Sequence, residues 1–226
     1  MGESSLAGPP PATGSEREAT GGKPGEPERD RTGAPRALFL GTSLTAGLGL
    51  SEPQLESWPA VIQRLADSVG VPLHVIQAGL SGETSAGALR RADWLFRQPF
   101  DILVIETGAN DGLRGLNPDT TAANIRGIIA KARAASPGAD ILLVQMEAPT
   151  NLGAVMTKPF RELFPRVARE AGVTLLPFIL EGVGGVEKYN QSDGIHPTAE
   201  GAALAARNVW PGIRRVATAR ASRQVR

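Results

Sequence analysis

Ala37-Leu38-Phe39-Leu40 runs directly into Gly41-Thr42-Ser43-Leu44-Thr45-Ala46-Gly47. Four consecutive apolar residues ended by a glycine and two hydroxyl residues read as a strand with a sharp exit. Ile102 to Ile105 and Ile141-Leu142-Leu143-Val144 repeat the pattern, and Leu73 to Gln77 and Val173 to Leu176 add two further strands. Unbroken apolar runs of this kind suit parallel strands covered on both faces. Between them the period changes. Trp58, Val61, Ile62, Leu65, Ala66 and Val69 recur at helical spacing, which predicts a helix over Ser57 to Val69 with Ser57 as N-cap and Pro59 in the first turn. Thr84 to Arg97 reads as helix, as does Pro118 to Ala135, with Ile125, Ile128, Ile129 and Ala132 on one face. Pro159 to Ala171 is a helix that Pro165 should bend or shorten, and Thr198 to Val216 is the last helix. Strands alternating with helices define an α/β chain. The expected architecture is a three-layer αβα sandwich around a five-stranded, mostly parallel, doubly wound sheet. Ligand sites in such sheets form at the carboxyl ends of the strands.

Composition narrows the chemistry. The chain has 226 residues, 41% hydrophobic and 21% charged, without cysteine. Disulfides, thiolate nucleophiles and Cys-based metal sites are therefore excluded. Lys+Arg number 24 and Asp+Glu 23, so no general nucleic-acid binding is expected. No apolar run approaches the length of a membrane span. Residues 1–36 hold seven Gly, six Pro, six acids, five bases and one large aliphatic, Leu6. The reading is a disordered leader or linker. As a flexible coil it would span roughly 30–35 Å. It contains no apolar stretch of signal-peptide length. The domain is expected over 37–216 and a basic tail over 217–226.

The polar residues that follow the strands decide the rest. Ser43 follows the first strand, where an exposed hydroxyl near loop amides suits a nucleophile. Alone, it is more simply a turn cap. Ser81-Gly82-Glu83-Thr84 follows the second strand, and Gly82 can present a backbone N–H unobstructed by a side chain. Gly108-Ala109-Asn110-Asp111-Gly112 follows the third. Asn110 offers a neutral donor suited to a developing oxyanion, although Asn/Asp-Gly turns are common. Asp193-Gly194-Ile195-His196-Pro197 precedes the last helix. There Asp193 can reach His196 Nδ1 and fix the tautomer that leaves Nε2 free to take a proton. One His and one Asp do not complete a metal site. His74, the other of the two histidines, lies inside the second strand and reads as structural.

These four blocks, in this order, resemble the SGNH (GDSL) hydrolase superfamily, most closely its thioesterase I, arylesterase and lysophospholipase branch. The resemblance covers residues 37 to about 212 and includes Leu113-Arg114-Gly115 and Leu175-Leu176-Pro177-Phe178. It implies a flavodoxin-like sheet, Ser43 as nucleophile, His196 as general base and Asp193 as its orienting partner. The Ser43 N–H, Gly82 N–H and Asn110 side chain would form the oxyanion hole. It further implies no metal, no cofactor and a small-molecule acyl ester or thioester as substrate. A periplasmic or otherwise exported setting follows from the branch, with a cytoplasmic one as alternative. Two positions depart from the family pattern. Thr42 stands where the family has Asp before the nucleophile, and Gln77 where an Asn is often seen.

Further expectations concern the walls and the ends. Met146 to Pro159 reads as the longest loop beside the site, offering Leu152, Val155 and Met156 to an acyl chain. Leu113 and Leu116 supply an opposite wall. The five arginines from Arg214 to Arg226 offer weak contact with an anionic surface, and a monomer is expected. A carbohydrate O-acetyl esterase or acyltransferase, a catalytically inactive binding protein and a flavodoxin-like flavin binder are the competing readings.

Overall fold

A computed structural model describes residues 33–148 and 152–224. The expectation for the leader falls outside the described residues up to position 32. Apolar runs without alternation need cover on both faces, and the inner strands have it. The strands are β1 (Arg36–Gly41), β2 (His74–Gly79), β3 (Ile102–Ile105), β4 (Asp140–Gln145) and β5 (Thr174–Phe178). Their order is β2-β1-β3-β4-β5, and every neighbouring pair is parallel. All four residues of β3 are fully buried, whereas β2, at the sheet edge, is only partly covered. His74 is the first residue of β2, exposed and paired with Arg36 at the amino edge of the sheet.

Eight α-helices and a 3-10 turn (Glu187–Tyr189) lie among the described residues, the α-helices being α1 (Ser43–Ala46), α2 (Pro53–Glu56), α3 (Trp58–Ser68), α4 (Ser85–Leu95), α5 (Ala109–Leu113), α6 (Pro118–Ala135), α7 (Ala154–Ala171) and α8 (Ala199–Gln224). The chain moves one way from β1 to β2 and the opposite way from β2 through β5. Right-handed crossovers then place helices on opposite faces. α3 packs with α8, while α4, α6 and α7 lie side by side. The reversal puts a crevice at the carboxyl ends of β1 and β3, where Leu40 pairs with Ile105.

Two helices differ from expectation. Pro165 does not shorten α7, which runs from Ala154 to Ala171 through both Pro159 and Pro165. A proline at 165 cannot bond the carbonyl of Arg161. That carbonyl instead accepts the Gln145 Nε2–H at 3.0 Å, and Phe160, Leu163, Phe164 and Val167 anchor the helix in the core. The expected loop from Met146 to Pro159 is correspondingly shorter, because residues 154–159 are helical. α8 likewise continues to Gln224, past the tail expected from 217, because Ala217 is buried and the following turns are tied to the sheet. Arg220 pairs with Asp101 at 3.0 Å and Arg223 with Asp140 at 2.5 Å. Those two arginines are therefore engaged within the fold, which weakens the anionic-surface expectation. No helix among the described residues is long and apolar enough to cross a membrane.

Candidate active site

The site grows from the ends of β1, β2 and β3. Gly41 closes β1, and a Cβ there would collide with Thr45 Oγ1 and come within 2.8 Å of Glu106 Oε2. The chain then turns at Thr42 into the single turn of α1, whose first residue is Ser43. The Ser43 N–H is thus one of the amides that a helix start leaves without an intrahelical partner. From the far side, the loop before α8 presents His196. Its Nε2 lies 2.9 Å from Ser43 Oγ, and its Nδ1 lies 2.6 Å from Asp193 Oδ2. Asp193 also organises its own loop: Oδ1 accepts the N–H of Ile195 and of His196, both at 2.9 Å, and Gly194 takes a φ of +70° between them. These bonds from the His196 ring and from the two amides hold the Asp193 carboxyl down to about 2. The carboxylate is therefore ionised at working pH and requires a donor at Nδ1, so the neutral ring turns its lone pair at Nε2 toward Ser43.

The other two candidate donors are joined to each other. Gly82 has a φ of +76°, which favours glycine although open space surrounds its missing Cβ. Asn110 donates from Nδ2 to the Glu83 carbonyl at 2.9 Å, and Arg114, one turn on, donates to the Gly82 carbonyl at 3.1 Å. The amide of Asn110 has a second N–H beyond that bond. Below the loop, Asp111 accepts the Ser85 N–H at 2.8 Å and the Ser85 and Thr121 hydroxyls. Arg91 pairs with Glu83 at 2.7 Å and also donates to the carbonyls of Gly41 and Ala78, lacing the β1 and β2 exits together. Gln191 donates its N–H to the His196 carbonyl at 2.7 Å and its side-chain amide to the carbonyls of Leu48 and Pro197, which seats the histidine loop. None of these supports stood out in the sequence.

Ser43, His196 and Asp193 are brought into direct contact. The three wall residues are placed less decisively. Leu113 ends α5, three residues after Asn110, and is 43% exposed. Leu152 is exposed, and Met156 is half-buried in the first turn of α7. Val155 beside it is 93% exposed and forms no wall. Directly behind Ser43 and His196, Leu44, Leu48, Trp58, Leu180 and Ala205 close on a space of about 10 Å³. That is room for one water at most.

Glu106 was not anticipated, although a lone acid directly after four buried apolar residues was a visible signal. It is fully buried, and burial pushes its carboxyl up to about 7 against the lowering pull of bonds from Thr42 and Thr45. The sign follows. The folded state keeps a proton that the unfolded chain gives up near 4.5, so this contribution to stability is complete below that pH and is lost as pH rises through about 7. Melts of the wild type and Glu106→Gln across that range should diverge, with the wild type losing about 3 kcal/mol more. Parallel curves would refute the buried titration.

A doubly wound parallel sheet with Ser43, His196 and Asp193 in contact beyond its carboxyl edge has the layout of a serine acyl hydrolase. Residues 39–204 match the GDSL-like Lipase/Acylhydrolase family, and the chain belongs to it. It is 41% identical over 179 residues to Esterase TesA of Pseudomonas aeruginosa, covering 78% of this chain and 87% of that protein. It is 38% identical over 165 residues to the Thioesterase 1/protease 1/lysophospholipase L1 of Escherichia coli, covering 72% and 76%. A crystal structure of a protein called TesA superposes with a TM-score of 0.75 at 37% identity, over 80% of this chain and 99% of that one. The sheet and helices are those of the SGNH hydrolases, as the four sequence blocks led us to expect.

Proposed function

We propose that the protein hydrolyses carboxylic esters or thioesters of small to medium acyl length through an acyl-enzyme on Ser43. One observation carries the reading: the unbroken series Asp193 Oδ2, His196 Nδ1, His196 Nε2, Ser43 Oγ, with steps of 2.6 and 2.9 Å. His196 takes the hydroxyl proton as Oγ adds to the acyl carbonyl. The oxyanion forms against the Ser43 and Gly82 N–H groups and the second N–H of Asn110. His196 then protonates the departing alcohol or thiol, and water repeats the sequence to release the acid. Asp193 keeps its charge throughout and stabilises the imidazolium. Asn110→Ala should lower kcat roughly 10²–10³-fold, because its donor acts on charge that appears only in the transition state. A loss under threefold would remove Asn110 from the oxyanion hole.

The family's esterase and thioesterase relatives support acyl substrates, and the tight space behind the nucleophile supports an acyl group on the open side, along Leu113. The test is hydrolysis of p-nitrophenyl esters from acetate to decanoate, with acyl-CoA for comparison. Turnover within that series is expected, and Leu113→Ala should cost about three- to tenfold in kcat/KM on the longer esters with little change on acetate, at roughly 0.8 kcal/mol per buried CH₂. No hydrolysis of any member would overturn the proposal.

A further inference from the structure

We infer that Glu106 is a positioning residue for the nucleophile: its buried carboxyl group grips the chain on both sides of Ser43 and sets the reach of Oγ toward His196. The inference rests on the reading of Ser43 given above.

Strand register brings the carboxyl group to this turn. β3 ends at Ile105, opposite Leu40, and the Glu106 N–H continues the ladder to the Leu40 carbonyl at 2.8 Å. Glu106 therefore stands beside Gly41, whose missing Cβ leaves room for a carboxyl group under the turn. That carboxyl accepts the Thr42 N–H at 2.9 Å, the Thr42 hydroxyl at 2.9 and 3.1 Å, and the Thr45 hydroxyl at 2.9 Å. Thr45 Oγ1 in turn accepts the Trp58 indole N–H at 3.2 Å, which leaves its own proton directed at Glu106. Residues 42 and 45 bracket Ser43. The helix they begin is four residues long and has no side-chain N-cap bond, so helix propensity alone cannot hold it.

A structural filler would not be a carboxyl group. Burying one, ionised or with its proton, takes polar oxygens out of water, and an apolar side chain would fill the space with no such penalty. Among the described residues no cation bonds the Glu106 carboxyl. Arg91, on α4, reaches the Gly41 carbonyl but is paired with Glu83. Here its acceptors meet the amide and hydroxyls of the nucleophile turn. Thr42 completes the fit. The Asp found there in the resembling family would present acceptors to an acceptor, unless the two shared a proton, whereas threonine presents a donor.

The experiment is a double-mutant cycle of Glu106→Gln and Thr42→Val. Kinetics are measured on p-nitrophenyl acetate well below each variant's melting temperature, and the rate of fluorophosphonate labelling is followed in parallel. Glu106→Gln should lower kcat about 10- to 100-fold with KM within about twofold, as expected when a reacting atom is misplaced while substrate binding is untouched. Labelling should slow by the same factor. Thr42→Val should cost several-fold, and the double variant should be no worse than Glu106→Gln, because the hydroxyl acts through the carboxyl. Full additivity, or a folded Glu106→Gln with kcat within twofold of wild type, overturns the inference. If Glu106→Gln does not fold, Thr42→Val and Thr45→Val carry the test, and wild-type kcat in both overturns it. Ser43→Ala run alongside separates the failures. An active Ser43→Ala removes the nucleophile and this inference with it, whereas an inactive Ser43→Ala beside an unaffected Glu106→Gln removes this inference alone.

Discussion

Ser43→Ala should abolish measurable ester turnover, a fall of at least about 10⁴-fold in kcat, with the fold and melting behaviour intact. The side chain is small, and its hydroxyl bonds the His196 ring, so its loss leaves little unsatisfied. The loss of rate is large because nucleophile, base and orienting acid act as a unit. What remains is whatever the oxyanion donors and substrate binding contribute to attack by water. The companion measurement is covalent. A fluorophosphonate should label the wild type at Ser43, identified by peptide mass spectrometry, and should leave Ser43→Ala unmodified. Residual hydrolysis near the wild-type rate, or labelling at another serine, would remove the assignment.

Asp193→Asn is the second large effect, at about 10³–10⁴-fold in kcat. The change preserves shape but turns an acceptor into a group that can present an N–H to Nδ1. It thereby favours the tautomer whose proton faces Ser43. The wild-type pH profile should follow from the same pair. Because the Asp193 carboxyl is held down to about 2, its contribution is present above the ordinary carboxylate range and fades only as pH falls through that value. A loss below tenfold would show that Asp193 does not orient the base.

Much of this arrangement was legible because it is carried by local signals. The apolar runs named the strands, helical spacing named the long helices, and four short polar blocks at strand ends pointed to Ser43, Gly82, Asn110, Asp193 and His196 as candidates. What was missed depends on distant partners. Nothing near Pro165 indicates that Gln145 will satisfy the carbonyl it frees, and nothing near Arg220 indicates Asp101 across the sheet. The single turns at Ser43–Ala46, Pro53–Glu56 and Ala109–Leu113 are too short for periodicity to show. Glu106 lies closest to the border. Its place after a fully buried strand was visible, but its role depends on the parallel register that brings it beside Gly41.

Asn110 and Arg114 both hold the carbonyls of the Gly82–Glu83 loop. The loops after β2 and β3 are thus tied together by two side-chain bonds. A substitution at position 110 therefore removes a candidate donor and, with it, one of the two ties between these loops.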